Sequence, residues 1–197
     1  AASDVYKRQF VYEANIRYLH HLGEVTYFSP LADTSLPDAG FVYLPGGYPE
    51  LYLAALSANR QMLQSIRRYV ESGGKLLAEC GGMMYLCDEI RDKNGYVYPM
   101  AGVLHQSATM ENMKLRLGYR TLLYNETRLK GHEFHYSRLV EQQNPLPSCA
   151  VAYTAKGVET DTPLYHYKNV WAGYTHLYWA DPVGNEWFTK FVIDGNI

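Results

Sequence analysis

The stretch that decides the fold reads Lys75-Leu76-Leu77-Ala78-Glu79-Cys80-Gly81-Gly82-Met83-Met84-Tyr85-Leu86. Its first four residues are predicted to form a buried strand, and the residues from Gly81 onward the first turns of a helix. Cys80 then lies at a tight strand-to-helix turn, which points its side chain outward and presents backbone N–H groups nearby. A helix N-terminus also lowers the pKa of a thiol, so this pattern favours a nucleophile. The alternative is a buried core cysteine, the usual environment of this residue type.

A second glycine-rich turn precedes this unit. The predicted strand Phe41 to Leu44 ends at Pro45-Gly46-Gly47, and Val25 to Phe28 is a further short strand. Ser57 is expected to cap a helix that has apolar residues at helical spacing and ends at Gly73-Gly74. Strands that alternate with helices indicate a mostly parallel sheet covered on both faces, with sites beyond the carboxyl ends of its strands.

The second half of the chain is less regular. Met100 to Leu123 and Gly131 to Leu139 suggest strands with hairpins, Val170 to Trp179 a further aromatic strand, and Asn185 to Ile193 a closing helix. Without an internal repeat or a Pro/Gly/Ser-rich linker, residues 1–197 are predicted to form one domain.

Acyl transfer at Cys80 would need an oxyanion site and a base. Backbone N–H groups from two turns can stabilise the oxyanion, which makes Gly47 and Gly81 the candidates, although Pro-Gly-Gly by itself is typical of a plain turn. Among the seven histidines, His176 lies at the end of a predicted strand, from which its side chain could reach Cys80. A structural, hydrogen-bonding histidine is the alternative.

Composition excludes several classes of protein. The formal net charge is −2, with 18 basic and 20 acidic residues, which gives no surface suited to nucleic acid or an anionic membrane. No apolar run approaches the roughly 20 residues that span a bilayer, and no signal peptide is recognisable, so we expect a cytoplasmic protein. Three cysteines (Cys80, Cys87 and Cys149) favour reduced thiols over a disulfide framework and lack the spacing of a zinc site.

Four blocks together resemble the glutamine amidotransferase domain of cobyrinic acid a,c-diamide synthases, in the cobyrinate and cobyric acid synthase branch of class I amidotransferases. They are Phe28-Ser29-Pro30-Leu31-Ala32-Asp33, Leu44-Pro45-Gly46-Gly47-Tyr48-Pro49-Glu50, residues 78–86, and Gly131-His132-Glu133-Phe134-His135-Tyr136-Ser137. With the Tyr174-Thr175-His176 stretch, they cover nearly the whole chain in family order.

The resemblance implies a flavodoxin-like three-layer α/β/α fold with Cys80 as the nucleophile and His176 as the residue that activates it. Glutamine would be hydrolysed to supply ammonia for amidation of corrin carboxylates in cobalamin biosynthesis. The resemblance also implies an N-terminal synthetase domain that uses ATP and Mg²⁺. No phosphate-binding loop is present in this sequence, so we expect no cofactor in this chain itself.

Two departures from the family pattern concern the site and the start of the chain. Better-known class I relatives have a glutamate two residues after the histidine, where this chain has Tyr178, so a Cys80 and His176 dyad is the working hypothesis. Ala1 to Gln9 do not resemble the family strand, and we expect a truncated or foreign start that lacks an edge or inner strand.

The block from His132 to Ser137 is predicted to be structural rather than part of corrin binding or of the synthetase interface. His132 and His135 also lack the i, i+4 spacing of a zinc protease helix, so no metal site is predicted. Two alternative functions stay open: the acceptor is a different compound (hydrogenobyrinate, a nickel tetrapyrrole, cobyric acid or a cell-wall lipid precursor), or the chain is a non-catalytic assembly module.

Overall fold

The computed structural model describes residues 2–3 and 10–194, with side chains from Phe10 to Ile193. Six strands form its main sheet. The pair at one edge, Leu164–Tyr167 with Val170–Gly173, is antiparallel, and the other four neighbouring pairs are parallel. Their spatial order is β13 (Leu164–Tyr167), β14 (Val170–Gly173), β4 (Lys75–Glu79), β3 (Phe41–Leu44), β1 (Ala2–Ser3) and β2 (Tyr27–Phe28).

Alternate residues of these strands point to opposite faces, as the pleat of a strand requires. Val42, Leu76 and Ala78 pack with helices α2 (Leu53–Ala58), α3 (Arg60–Glu71) and α4 (Gly81–Leu86). Tyr43, Leu77 and Trp171 face the other side, where α1 (Glu13–Leu22) and α5 (Pro182–Thr189) lie. The result is the predicted three-layer α/β/α arrangement.

Two smaller sheets complete the fold. The antiparallel sheet has the order β12 (Glu159–Thr160), β11 (Val151–Thr154), β8 (Arg116–Tyr124), β9 (Thr127–His135) and β15 (His176–Leu177). The mixed sheet has the order β10 (Arg138–Leu139), β7 (Ser107–Thr109), β5 (Glu89–Arg91) and β6 (Val97–Pro99). A 3₁₀ turn at Pro49–Leu51 and a π-helical turn at Lys190–Asp194 follow β3 and α5.

Three predictions about single elements were wrong. Asn59, not Ser57, caps α3, because its side chain accepts a hydrogen bond from the Met62 amide. The predicted strand 170–179 is two strands, since the chain leaves the main sheet after β14 and joins β9 as β15.

The third correction concerns the start of the chain. Ala2–Ser3 occupies an inner position of the main sheet, between β2 and β3, where a missing strand was expected. Backbone pairing needs only an extended chain and no particular side chains, so the lack of resemblance did not exclude it. Ala1 and residues 4–9 lie outside the described residues. Among the described residues, no helix has both the length and the apolar character to cross a bilayer.

Candidate active site

Cys80 occupies the sharp turn between β4 and α4. Its backbone angles are φ 49° and ψ −109°, so it has a positive φ but lies outside the left-handed helical region that non-glycine residues tolerate best. Its amide is bound by the Gly173 carbonyl of β14, and its carbonyl accepts the Met84 amide of α4. The sheet and the helix together hold this costly conformation, which is the backbone geometry predicted for a nucleophile elbow.

Both glycines proposed for the oxyanion site lie beside Cys80. A side chain on Gly81 would come within 2.4 Å of the Gly47 carbonyl oxygen, so the two turns are in close contact. Gly47 also lines the small cavity next to Cys80. The turn after β3 and the first residue of α4 therefore meet beside Cys80.

The cavity beside Cys80 is almost closed. Its free space is about 10 Å³, close to the volume that one water needs. Aromatic rings fill it: Phe10 stacks on Phe134 with centroids 5.8 Å apart, and meets Tyr48 edge-on at 5.2 Å. The Cys80 thiol donates a long hydrogen bond, 3.7 Å, to the Phe134 carbonyl. A side chain as large as a carboxamide group can enter only after these rings move.

His176 is brought to this edge of the sheet by β15. It pairs with His132 of β9, and its ring packs against Gly46 so closely that a side chain there would come within 2.0 Å of the imidazole Cε1. Only 3% of His176 is exposed, and neither ring nitrogen has a hydrogen-bond partner among the described residues. The imidazole is thus fixed in place with both nitrogens free to exchange a proton.

His135, unlike His176, lines the cavity beside Cys80. Its two nitrogens are occupied, however. Nδ1 lies 2.8 Å from the Ser137 carbonyl, and Nε2 lies 2.7 Å from a carboxylate oxygen of Glu133, which also forms an ion pair with Arg120. The ring stacks flat on Tyr174 at 3.7 Å. To act as a base, His135 would first have to give up one of these bonds.

Glu79, the residue before Cys80, is a buried carboxyl group that is 2% exposed. The Tyr43 hydroxyl donates to its Oε2 at 2.6 Å, and the Leu177 amide donates to its Oε1 at 2.9 Å. Oε2 lies 3.9 Å from Nδ1 of His176. Sequence reasoning missed this contact, because it joins two strands that are remote in the chain.

Burial is the main cause of the pKa shifts of Cys80, His176 and Glu79. It raises the pKa of Cys80 to about 12, although the nearby Gly81 amide opposes the rise. It lowers the pKa of His176 to about 4, and the Phe10 backbone, which does not reach hydrogen-bond geometry, offsets this only in part. In the closed pocket the thiol and the imidazole are therefore both neutral. The lowered thiol pKa expected from the helix N-terminus is not found, because loss of hydration outweighs a single turn of dipoles.

Burial also raises the pKa of Glu79 to about 8, against the hydrogen bonds from Tyr43 and Leu177, which lower it.

No group of three or more histidine, cysteine, aspartate or glutamate side chains that could hold a metal ion occurs in the part of the chain that the structure describes.

A model of the CobB/CobQ-like glutamine amidotransferase domain matches residues 5–183 of the chain. The chain belongs to this family. Relatives support the assignment of the domain: hydrogenobyrinate a,c-diamide synthase of Pseudomonas aeruginosa is 39% identical over 175 residues, which cover 86% of this chain. Cobyrinate a,c-diamide synthase of Fusobacterium nucleatum is also 39% identical, over 178 residues and 86% of the chain.

The amidotransferase domain spans less than half of these relatives, since the alignments cover 38% and 39% of their own lengths. Solved structures agree on the fold. One glutamine amidotransferase has a TM-score of 0.59 at 18% identity, with 98% of this chain and 99% of that chain covered. Another, from Thermotoga maritima, has a TM-score of 0.57 at 13% identity, with 98% and 81% covered. The fold is that of class I glutamine amidotransferases.

The block from His132 to Ser137, which the sequence analysis interpreted as structural, contributes to the surroundings of Cys80. Phe134, His135, Tyr136 and Ser137 all line the cavity beside Cys80. The sequence does carry a signal for this. Glu133 and His135 are two residues apart on β9, so both side chains point to the same buried face of the strand. Buried polar side chains need hydrogen-bond partners, which predicts an interaction between these two residues or with a third polar group.

Proposed function

We propose that the chain hydrolyses glutamine, with Cys80 as nucleophile and His176 as base, and delivers the ammonia to an ATP-dependent synthetase. The observation that carries this proposal is the Cys80 turn: a thiol in a strained strand-to-helix turn, with Gly47 and Gly81 beside it and a buried histidine with free nitrogens at the same edge. Relatives whose names state amidation of a corrin precursor support the choice of reaction.

In the proposed reaction His176 removes the thiol proton as Sγ attacks the side-chain amide carbon of glutamine. The tetrahedral oxyanion that forms would be stabilised by the amides of Gly47 and Gly81. When the carbon–nitrogen bond breaks, His176 returns the proton to the leaving nitrogen, which departs as ammonia. A water then attacks the thioester, again with His176 as base, which releases glutamate and restores the thiol. Because both groups start neutral, proton transfer accompanies attack rather than preceding it.

For the acceptor, we propose a carboxylate of a corrin ring, cobyrinate or hydrogenobyrinate, as in the names of the two relatives. ATP and Mg²⁺ would act in the synthetase, which would activate that carboxylate. A cytoplasmic location fits the three free thiols of the described structure.

The test is glutamine-dependent release of glutamate by Cys80→Ala and by Cys87→Ala. Both cysteines are buried and lie at the two ends of α4, so the pair separates chemistry from packing. We expect Cys80→Ala to lose all measurable turnover and Cys87→Ala to keep most of it. Turnover by Cys80→Ala near the wild-type rate would exclude the proposed nucleophile, and inactive wild-type protein together with its synthetase would favour an assembly module.

A further inference from the structure

Glu79 is a buried carboxyl group for which the proposed reaction has so far no use. Burial of a carboxyl group is costly, and a glutamine could accept the same hydrogen bond from the Leu177 amide. Among the described residues, His176 is the only basic side chain within ion-pair distance of Glu79. The presence of an ionisable group at this position is explained if its charge acts on His176.

We propose that Glu79 is the positioning residue of His176: its side chain orients the imidazole through Nδ1, and once the carboxyl group has lost its proton it stabilises the imidazolium that forms when the thiol proton is taken. This inference rests on the proposed function. The chain has Tyr178 two residues after the histidine, where better-known class I relatives have a glutamate, and Glu79 supplies a carboxyl group to His176 from β4 instead.

The geometry suits this role. Oε2 and Nδ1 are 3.9 Å apart, so a shift of about 1 Å brings them to hydrogen-bond distance. The carboxyl group itself is held by β3 through Tyr43 and by the residue after His176 through the Leu177 amide. The Leu177 carbonyl is in turn bound by Asn15 of α1 at 2.7 Å. Both backbone groups of the residue next to His176 are therefore fixed by buried side chains.

Glu133 and His135 form a second buried pair, but they cannot serve in the same way. Arg120 already balances the Glu133 charge, and both nitrogens of His135 are bound. In the Glu79 and His176 pair, by contrast, the histidine has no other hydrogen-bond partner in the described structure and Nε2 stays available for the proton of Cys80.

The test compares Glu79→Gln with Tyr43→Phe in steady-state glutamine hydrolysis across pH. Glu79→Gln keeps the shape and the acceptor for Leu177 but removes the charge, whereas Tyr43→Phe removes one hydrogen bond and keeps the charge. We expect kcat to fall by about 10²–10⁴-fold in Glu79→Gln with the KM for glutamine changed less than about threefold, and to fall less than about tenfold in Tyr43→Phe.

The acidic limb of the kcat/KM profile is the second readout. In the wild type this limb reports the loss of the Glu79 proton, so Glu79→Gln, which needs no ionisation at this position, should move the limb to lower pH. Tyr43→Phe should move it to higher pH, because the Tyr43 hydrogen bond lowers the pKa of Glu79. Other titratable groups near the pair are unchanged in both variants: Tyr12 and Cys80 near Glu79, and His132, Glu133 and His135 near His176.

Glu79→Gln with wild-type kcat, or an acidic limb that stays in place in both variants, would overturn the proposal. If Glu79→Gln does not fold, the shift in Tyr43→Phe alone decides. Failure of this proposal is distinguishable from failure of the proposed function: an inactive Cys80→Ala beside a fully active Glu79→Gln leaves the nucleophile in place and removes only the role of Glu79.

Discussion

Gly46 shows how a single residue can limit which side chains fit beside His176 in the proposed active site. The His176 ring occupies the space where any other residue would place its Cβ. The sequence predicts a sharp turn at Pro45-Gly46-Gly47 and makes Gly47 an oxyanion candidate, but it predicts no separate role for Gly46. The function of the first glycine depends on a residue of β15, which no local pattern reveals.

We predict that Gly46→Ala suppresses glutamine hydrolysis by at least about 10²-fold, because the ring must leave its position. Gly40→Ala, whose added methyl group would meet nothing within 4 Å, is the matched control and should keep wild-type turnover. Measured free energies of unfolding should fall by about 1–3 kcal/mol in Gly46→Ala, the usual cost of overpacking. Full activity in Gly46→Ala would mean that the imidazole position is not needed.

At the scale of elements, the sequence predicted what depends on local pattern. The prediction from Phe41–Leu44 and residues 75–86 is confirmed: the structure has strands β3 and β4, the turn at Cys80 and the helix that follows it at these positions. Sequence-based prediction failed where the structure depends on contacts between residues that are remote in the chain. The segment 170–179 was predicted as one strand because most of its residues are apolar or aromatic. In the structure its first part belongs to the main sheet, and its second part pairs with β9 in the antiparallel sheet. Glu79 was missed for the same reason.

Helix α1 illustrates such a tertiary tie. Asn15 donates to the Leu177 carbonyl and accepts from the Trp179 amide at 2.9 Å. We predict that Asn15→Ala lowers the free energy of unfolding by about 2–4 kcal/mol, since two buried backbone groups lose their partners. Arg17→Ala, on the exposed side of the same helix, should change it by less than about 0.5 kcal/mol. Urea unfolding curves check both, and equal midpoints for the two variants would contradict this account.

For the whole molecule, Glu79 links stability to pH. Its pKa is raised from 4.5 to about 8, so the folded state favours the protonated carboxyl group. The stabilisation is complete below about pH 4.5 and is lost as the pH rises to about 8. At 1.36 kcal/mol per pKa unit, the upper limit of this loss is roughly 5 kcal/mol.

Glu79→Gln, which cannot ionise, should therefore gain stability relative to the wild type between pH 5 and pH 8.5. His176, with its lowered pKa, acts in the opposite sense and at lower pH, from about 6.5 down to about 4, and it does so in both proteins. The difference between the two free energies of unfolding, measured by denaturant titration at the two pH values, isolates Glu79. A constant difference would show that the carboxyl group ionises as freely in the folded protein as in the unfolded one.

The closed cavity beside Cys80 has a kinetic consequence. Phe10, Tyr48 and Phe134 line the small cavity beside Cys80, so glutamine binding there, as proposed, requires an opening step before or during association. When opening is slower than encounter, the observed rate of binding stops rising with glutamine concentration and levels off at the opening rate. The ring motions of these three residues would then determine how quickly the domain begins to produce ammonia when glutamine becomes abundant.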